Sequence, residues 1–234
     1  MRNPIILALD VPTADQGLAL ARELAPALGA IKIGSELFTA GGPEIVRQMR
    51  GLGLNVFLDL KFHDIPNTVA KAVASAVQLD VQMLTIHTGG GSEMMRAAEK
   101  SAQESAKKFV RNAPLVLGVT ILTSLDSNAI SEVGYPANVA HQVDRLAKLA
   151  VASGLRGLVC SPLEVVELRR ILPREIQLVT PGIRPAEATS DDQKRTLTPK
   201  EAIAAGADWL VIGRPIYGAK DPRRAAEQFL ESLV

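Results

Sequence analysis

The chain has 234 residues, 47% of them hydrophobic, and its 26 Lys and Arg side chains almost balance its 25 Asp and Glu side chains, leaving a formal net charge of +1. A chain of this length buries a sizeable core, while the balanced charge provides neither the basic field of a nucleic-acid-binding protein nor the acidic excess of a disordered one. No apolar run is long enough to cross a bilayer, so neither nucleic acid nor a membrane is an expected partner.

The N-terminal residues and the cysteine content indicate a cytoplasmic protein. The first apolar run, residues 5–9, begins so close to Met1 that no signal peptide fits before it. Cys160 is the single cysteine, which excludes an internal disulfide and suits a reducing compartment. Because Cys160 ends an apolar run, we expect a packed core thiol rather than a nucleophile.

An apolar run followed by a helical pattern recurs along the chain. The predicted strands cover residues 5–9, 31–34, 56–61, 83–87, 115–121, 155–160, 177–180 and 209–212. The predicted helices cover residues 14–28, 43–50, 67–79, 92–107, 139–152, 162–171, 199–205 and 222–233. Eight such alternations predict a single α/β domain over residues 1–234, a parallel (β/α)8 or TIM barrel. A doubly wound open sheet is the alternative.

Charged residues lie at or near the ends of the first three predicted strands. They are Asp10, Lys32, Asp59 and Lys61. Side chains alternate along a strand, so Asp59 and Lys61 are expected to point to the same side. An isolated Asp-x-Lys is more simply a surface ion pair worth about 0–1 kcal/mol, and Lys32 alone is more simply a lysine lying along a strand. In a barrel, however, the active site lies at the carboxyl ends of the strands, so we expect these four charges to converge there.

The seventh and eighth predicted strands end in residues suited to a phosphate group. Gly213 and Arg214 follow strand eight, and Arg184 follows strand seven. Barrels often bind phosphate at these two loops, and the planar guanidinium matches phosphate oxygens. A tight turn at Gly213 and an exposed charge at Arg214 are the simpler alternatives. The polar stretch of residues 184–198 is predicted to be a lid over the phosphate, with Arg184 and Gln193 as its contacts.

One ten-residue string is more specific than the rest of the pattern. It reads Asp59-Leu-Lys61-Phe-His-Asp64-Ile65-Pro66-Asn67-Thr68, and it leads from a strand end into a helix start. Asp64 lies past the strand, so it meets Lys61 only if the loop folds back, or else serves another subunit. The string closely resembles the signature of the bacterial orotidine 5'-phosphate decarboxylases. The likeness extends along the chain through Leu-Asp10-Val, Lys32-Ile-Gly, Leu122-Thr123-Ser124, Thr180-Pro181-Gly-Ile-Arg184-Pro with Gln193, and Ile-Gly213-Arg214.

The resemblance implies a reaction and a role for each matching residue. The reaction is decarboxylation of orotidine 5'-monophosphate to uridine 5'-monophosphate and CO2, the last step of UMP biosynthesis, with no cofactor and no metal. Lys61 is implied as the proton donor to pyrimidine C6, with Lys32 and Asp59 in a charged network around it. Asp64, with Ile65 and Thr68, is implied to complete the partner's site in a homodimer. The implied substrate-binding residues are Asp10, Lys32, Asp59, Ile65, Thr68, Thr123, Pro181, Arg184, Gln193, Gly213 and Arg214, with Ser124 an alternative to Thr123.

Two other functions are weighed against this one. Sugar-phosphate enzymes of the same barrel suite, such as 3-keto-gulonate-6-phosphate decarboxylase and hexulose-phosphate synthase, share the Asp-x-Lys-x-x-Asp core but use Mg²⁺. Such a site needs further carboxylates, and Lys32 stands where a ligand is expected. The histidines His63, His87 and His141 show no ligand spacing. A catalytically silent sensor of pyrimidine phosphates would keep the phosphate loops and lose Lys61, which this chain retains.

Overall fold

The computed structural model describes residues 3–185 and 196–233. Its strands are β1 (Ile5–Ala8), β2 (Ala30–Gly34), β3 (Val56–Phe62), β4 (Met83–His87), β5 (Leu115–Val119), β6 (Gly157–Val159), β7 (Gln177–Thr180) and β8 (Trp209–Ile212). Its α-helices are α1 (Ala14–Leu24), α2 (Ser35–Gly51), α3 (Pro66–Gln78), α4 (Gly91–Lys108), α5 (Ser127–Glu132), α6 (Val139–Ala152), α7 (Val165–Ile171), α8 (Pro199–Ala205), α9 (Arg214–Tyr217) and α10 (Pro222–Glu231). Short 3-10 helices cover Ala25–Ala27, Thr88–Gly90 and Pro162–Glu164.

The eight strands form a closed parallel barrel in chain order, which confirms the predicted (β/α)8 fold. Closure occurs where β1 pairs with β8, with Ile5 opposite Leu210 and Leu7 opposite Ile212. The doubly wound alternative is therefore wrong, because an open sheet leaves two unpaired edges. Closure also places β3 opposite β7 across the ring.

The observed elements differ from the predicted ones where glycine and proline interrupt a helical pattern. Helix α2 begins at Ser35, well before the predicted residue 43, and it is broken at Gly42, whose φ of 59° and ψ of −161° are not helical. Pro43 then restarts the helix, so the sequence pattern revealed only its second part. The short helices α5 and α9 were not predicted, because they span too few residues for a periodic pattern to appear.

Two apolar layers hold the barrel together. One fills the inside of the strand ring, where Phe57, Leu117 and Trp209 are all at most 2% exposed. The other lies between the strands and the surrounding helices. Inside the ring, large and small residues complement each other: a Cβ added to Gly157 would lie 2.7 Å from Leu117 Cδ2. Leu117 therefore occupies the space that the missing side chain of its neighbouring strand leaves open.

Strand β3 carries an irregularity at the end that forms the site. Its pairing with β4 runs from Phe57 opposite Met83 to Leu58 opposite Leu84, and then resumes with Phe62 opposite Ile86. Three residues of β3, 59 to 61, thus stand opposite one residue of β4. Such a bulge bends a strand and re-aims its side chains.

The inner layer gives a test of how the barrel is stabilised. We expect Leu117→Ala to lower the free energy of unfolding by about 2–5 kcal/mol, because the cavity it leaves inside the closed ring has little room to collapse. The matched control is Leu163→Ala, at a leucine that is 60% exposed, where we expect a change within about 0.5 kcal/mol. Urea denaturation measures both variants, and equal losses would contradict the role given to the inner layer.

Candidate active site

A cavity of about 260 Å³ opens at the carboxyl ends of the strands. Nine of the residues predicted for the site line it: Asp10, Lys32, Asp59, Lys61, Thr123, Pro181, Arg184, Gly213 and Arg214. The other lining residues are Ala8, Phe57, Val119, Ile121, Leu122, Val159, Cys160, Gly182, Val211 and Tyr217. The nine predicted residues come from β2, β3 and the loops that follow β1, β5, β7 and β8. Thr123, rather than its neighbour Ser124, faces this cavity.

Two ammonium groups and two carboxylates alternate along one wall of the cavity. Lys32 Nζ lies 3.0 Å from Asp10 Oδ1 and 3.5 Å from Asp59 Oδ2. Lys61 Nζ donates to the other oxygen of the same carboxylate, Asp59 Oδ1, at 2.9 Å. Asp59 is the centre of this network, because it contacts both ammonium groups, whereas Asp10 contacts Lys32 and, among the described residues, not Lys61. The Asp59 side chain is only 12% exposed.

The charge of Asp59 is balanced by its partners. Burial raises the pKa of Asp59, but the attraction of Lys32 and Lys61, together with hydrogen bonds from Lys61 and Thr85, outweighs burial and lowers the pKa below its ordinary value of 3.8. Asp59 is therefore a carboxylate at neutral pH. A buried charge is retained only when it is paired and hydrogen-bonded in this way.

The charged network lies beside Gly34, a residue that has no side chain. Gly34 pairs with Asp59 in the β2–β3 ladder. A Cβ added at Gly34 would lie 3.1 Å from Lys32 Nζ and 3.3 Å from Asp10 Oδ1. Glycine at this position therefore leaves room for the ion pair.

The contact between Asp59 and Lys61 agrees with the sequence prediction, but its cause is different. The prediction assumed regular alternation along a strand, whereas Lys61 has a φ of 50° and lies inside the bulge of β3. A positive φ is uncommon for a residue with a Cβ and is found where the surroundings hold it in place. The backbone N–H of Lys61 donates to Thr85 Oγ1 at 2.9 Å.

Another part of the cavity wall is formed by the loops after β7 and β8. Arg184 and Arg214 both line it, and Gly213 precedes the short helix α9. Gly182 adopts a φ of 82°, which suits the sharp turn after β7. The backbone N–H of Arg184 donates to Leu197 O at 3.1 Å, so the two ends of the predicted lid are joined. Gln193 and most of that lid lie outside the described residues.

Sequence reasoning missed the apolar and aromatic parts of the cavity. Val119, Val159 and Val211 line it from β5, β6 and β8, and Tyr217 lines it from α9. Burial, followed by the nearby charge of Asp10, raises the pKa of Tyr217. The inward positions at the ends of the predicted strands were the available signal for the three valines. Apolar residues there resemble ordinary core residues, so only the presence of a cavity distinguishes them.

Three predicted residues lie away from the cavity in the single chain. Asp64, Ile65 and Thr68 are exposed, and the first two border a shallow surface depression together with His63. Asp64 Oδ1 accepts from the N–H of Ile65 at 2.6 Å. The loop therefore does not fold back to bring Asp64 to Lys61. The exposed fraction of Ile65, 66%, is high for an isoleucine.

The histidines and the cysteine were not assigned to the site from the sequence, although Cys160 lines the cavity. The rings of His63 and His87 lie 5.4 Å apart, and burial, followed by the charges of His63 and Lys61, lowers the pKa of His87. Burial raises the pKa of Cys160 to about 12, which fits a packed thiol rather than a nucleophile. Within residues 3–185 and 196–233, no group of three or more His, Cys, Asp or Glu side chains is placed to hold a metal ion. No helix in those ranges has the length and apolar character of a membrane span.

Comparison with known proteins agrees with this geometry. The family model described as "Orotidine 5'-phosphate decarboxylase / HUMPS family" matches residues 3–229. The chain is 52% identical over 233 residues to the orotidine 5'-phosphate decarboxylase of Opitutus terrae, and this match covers 100% of the chain and 99% of that protein. It is 48% identical over 231 residues to the enzyme of the same name from Dichelobacter nodosus, covering 99% of both.

The chain belongs to this family. The solved structure of orotidine 5'-phosphate decarboxylase from Lactobacillus acidophilus superposes with a TM-score of 0.88 at 36% identity, covering 99% of each chain. The resemblance drawn from the sequence is thus confirmed, and so is the prediction of an enzyme of the carboxy-lyase class.

The pKa of Asp59 predicts how stability depends on pH. Its folded pKa lies below its unfolded one, so the folded state binds fewer protons, and the stability that the carboxylate contributes is present above the unfolded pKa and lost as the pH falls through the folded pKa. We expect Asp59→Asn to lower the free energy of unfolding by about 1.5–3 kcal/mol near neutral pH, the range of a charge-assisted hydrogen bond.

The test compares the free energy of unfolding of the wild type with that of Asp59→Asn across a range of pH. Urea denaturation from about pH 7 down to about pH 2 should show a difference in the free energy of unfolding between wild type and Asp59→Asn that is constant above about pH 5 and narrows below about pH 4. A gap that widens as the pH falls would contradict the direction given for this pKa.

Proposed function

We propose that this protein decarboxylates orotidine 5'-monophosphate to uridine 5'-monophosphate and CO2, the last step of UMP biosynthesis, in the cytoplasm and without a cofactor. The observation that carries the proposal is the arrangement of one cavity. Lys61 and its acidic partner lie on the β3 side, while Arg184 and Arg214 lie on the β7 and β8 side. A nucleotide that carries a base at one end and a phosphate at the other matches this division of charge.

Lys61 is proposed as the proton donor. Loss of CO2 from C6 of the pyrimidine leaves an electron pair on a ring carbon that has no good position for delocalisation. An ammonium group fixed beside that carbon stabilises the developing negative charge and then protonates it. The contact of Lys61 Nζ with Asp59 at 2.9 Å supports such a fixed position, although the lysine side chain is 37% exposed to the cavity.

Asp59 has two proposed effects, and their sizes differ. In the complex its charge lies near the substrate carboxylate, and two like charges 4 Å apart cost about 4 kcal/mol at an effective dielectric constant of about 20. Enzymes commonly lower a barrier by about 8–23 kcal/mol, so this repulsion is a minor part of catalysis. The larger effect of Asp59 is to hold Lys32 and Lys61 in place before the substrate arrives, so that little reorganisation accompanies the reaction.

The remaining contacts are proposed from the resemblance and, for the described residues, from their position in the cavity. Arg184, Gly213 and Arg214, with Gln193 of the predicted lid, are proposed to bind the phosphate, because guanidinium groups pair with phosphate oxygens in a planar geometry. Asp10 is proposed to bind the ribose or the orotate edge. Thr123 and Pro181 are proposed to contact the pyrimidine. Phosphate binding energy then contributes to holding the base against Lys61.

A homodimer is proposed to complete the site. Asp64, Ile65 and Thr68 are exposed in the single chain, although the resemblance gives them a place beside the substrate. These residues lie at or just before the start of α3, at the same end of the barrel as the cavity, so a partner that packs against this end would bring its own copies toward the site. Under a two-fold axis, each chain would supply these residues to the other.

Turnover with and without a chelator tests the reaction itself. We expect the purified protein to remove the absorbance of orotidine 5'-monophosphate equally well in the presence of EDTA. Loss of activity with the chelator, or turnover only of sugar phosphates, would instead favour the Mg²⁺-dependent enzymes of the same suite. Binding of UMP without any turnover would favour a nucleotide sensor.

Lys61→Ala tests the proton donor. We expect turnover to fall by several orders of magnitude, because general acid catalysis and charge stabilisation are lost together. The affinity for UMP should change by less than about tenfold, because the phosphate side of the cavity is intact. The matched control is Lys148→Ala on the exposed face of α6, which should leave turnover unchanged. Retained turnover in Lys61→Ala would remove this lysine from its role.

Mixing two inactive variants tests the shared site. An Asp64→Ala chain and a Lys61→Ala chain, unfolded and refolded together in equal amounts, form heterodimers in which one of the two sites contains both native residues. We expect recovery of about a quarter of wild-type activity from random pairing in a two-fold dimer. Each variant refolded alone provides the background, and no recovery in the mixture would mean that Asp64 acts within its own chain.

A further inference from the structure

The bulge in β3 depends on one residue of the neighbouring strand. Between the pairs Leu58–Leu84 and Phe62–Ile86, only Thr85 of β4 stands opposite the three bulged residues. Ladder hydrogen bonds between backbones are interrupted at a bulge, so the groups inside it need other partners. Thr85 is fully buried, with 0% of its surface exposed.

The hydroxyl group of Thr85 contacts both charged residues of the bulge. It accepts from the backbone N–H of Lys61 at 2.9 Å, and it donates to Asp59 Oδ1 at 2.9 Å. The same carboxylate oxygen accepts from Lys61 Nζ at 2.9 Å. One oxygen atom of Thr85 therefore links the main chain of the lysine to the carboxylate that holds its side chain.

This double contact matters because it stabilises two unfavourable features of the bulge, the backbone conformation of Lys61 and the buried charge of Asp59. Lys61 has a φ of 50°, which an L-residue adopts at a cost, and its N–H is satisfied here by a side chain rather than by a carbonyl. Asp59 is buried and needs donors to remain a carboxylate. A hydroxyl group is the one small group that accepts and donates through a single atom.

We propose that Thr85 is a positioning residue of the active site, whose hydroxyl fixes the backbone of Lys61 and the carboxylate of Asp59 relative to each other. It touches neither the cavity nor the substrate and acts only through these two residues. This proposal rests on the proposed function, in which Lys61 must be fixed at C6. Misplacement of a reacting group by about 1 Å lowers a rate by about 100-fold, so a loosened bulge affects the chemical step and not substrate binding.

The variants Thr85→Val and Thr85→Ser separate the hydroxyl from the rest of the side chain. Valine keeps the branched shape and removes both hydrogen bonds, and we expect kcat to fall by about 10- to 100-fold while KM stays within about threefold. Serine keeps the hydroxyl and loses only the methyl group, and we expect kcat within about threefold of wild type.

The matched control is Thr120→Val. Thr120 is also a buried threonine, 5% exposed, and within the described part of the chain its Oγ1 has no hydrogen-bond partner. We expect this variant to keep wild-type kcat and KM, which shows that burying a valine in place of a threonine is not itself harmful. If Thr85→Val does not fold, as judged by its far-ultraviolet circular dichroism, Thr85→Ala is assayed in its place with the same expectation.

Three results would overturn the proposal. They are a kcat within about twofold of wild type for Thr85→Val, a loss in Thr85→Ser as large as that in Thr85→Val, and a rise in KM at unchanged kcat. These results concern Thr85 alone, because Lys61→Ala tests the proposed function separately. If Lys61→Ala loses turnover while Thr85→Val keeps the kcat of wild type, the proposed function stands and only the positioning role of Thr85 is rejected.

Discussion

A single carboxylate shared between two ammonium groups is the interaction on which the site depends. Asp59 presents one oxygen to Lys61 at 2.9 Å and the other to Lys32 at 3.5 Å, and Asp10 completes the chain at 3.0 Å from Lys32. Without the carboxylate, two positive charges would face each other in a partly buried cavity. With it, both lysines are held apart and oriented before any substrate arrives, which is the condition for electrostatic catalysis.

The backbone makes this arrangement possible by departing from regular structure at one point. The bulge forms where three residues of β3 stand opposite one residue of β4. Lys61 adopts a left-handed conformation within it. Regular strands on both sides keep the irregularity local, and Gly34 leaves room for the ion pair on the β2 side. Strain of this kind persists only where the surrounding structure determines it, and here it occurs at the proposed proton donor.

Barrel closure determines which residues lie across the cavity from one another. Because β3 and β7 lie on opposite sides of the ring, Asp59 and Lys61 lie across a cavity of about 260 Å³ from the loop that carries Arg184, whereas Arg214 follows β8, which pairs with β1. The valines of β5, β6 and β8 complete the wall, and they keep part of the cavity apolar. Low polarity strengthens the electrostatic interactions within it, so the fold contributes to the chemistry as well as to the geometry.

The sequence by itself determined the barrel, most element bounds and nine of the residues that line the cavity, because eight βα alternations and charged strand ends are local patterns. It did not reveal Thr85, Tyr217 or the three valines, since an inward threonine or valine has the same pattern whether it supports a site or fills a core. Only the tertiary structure decided that β3 bulges beside β4, and that Asp64 lies outside the cavity of its own chain. Both depend on contacts between residues distant in sequence, which periodicity along one chain segment does not record.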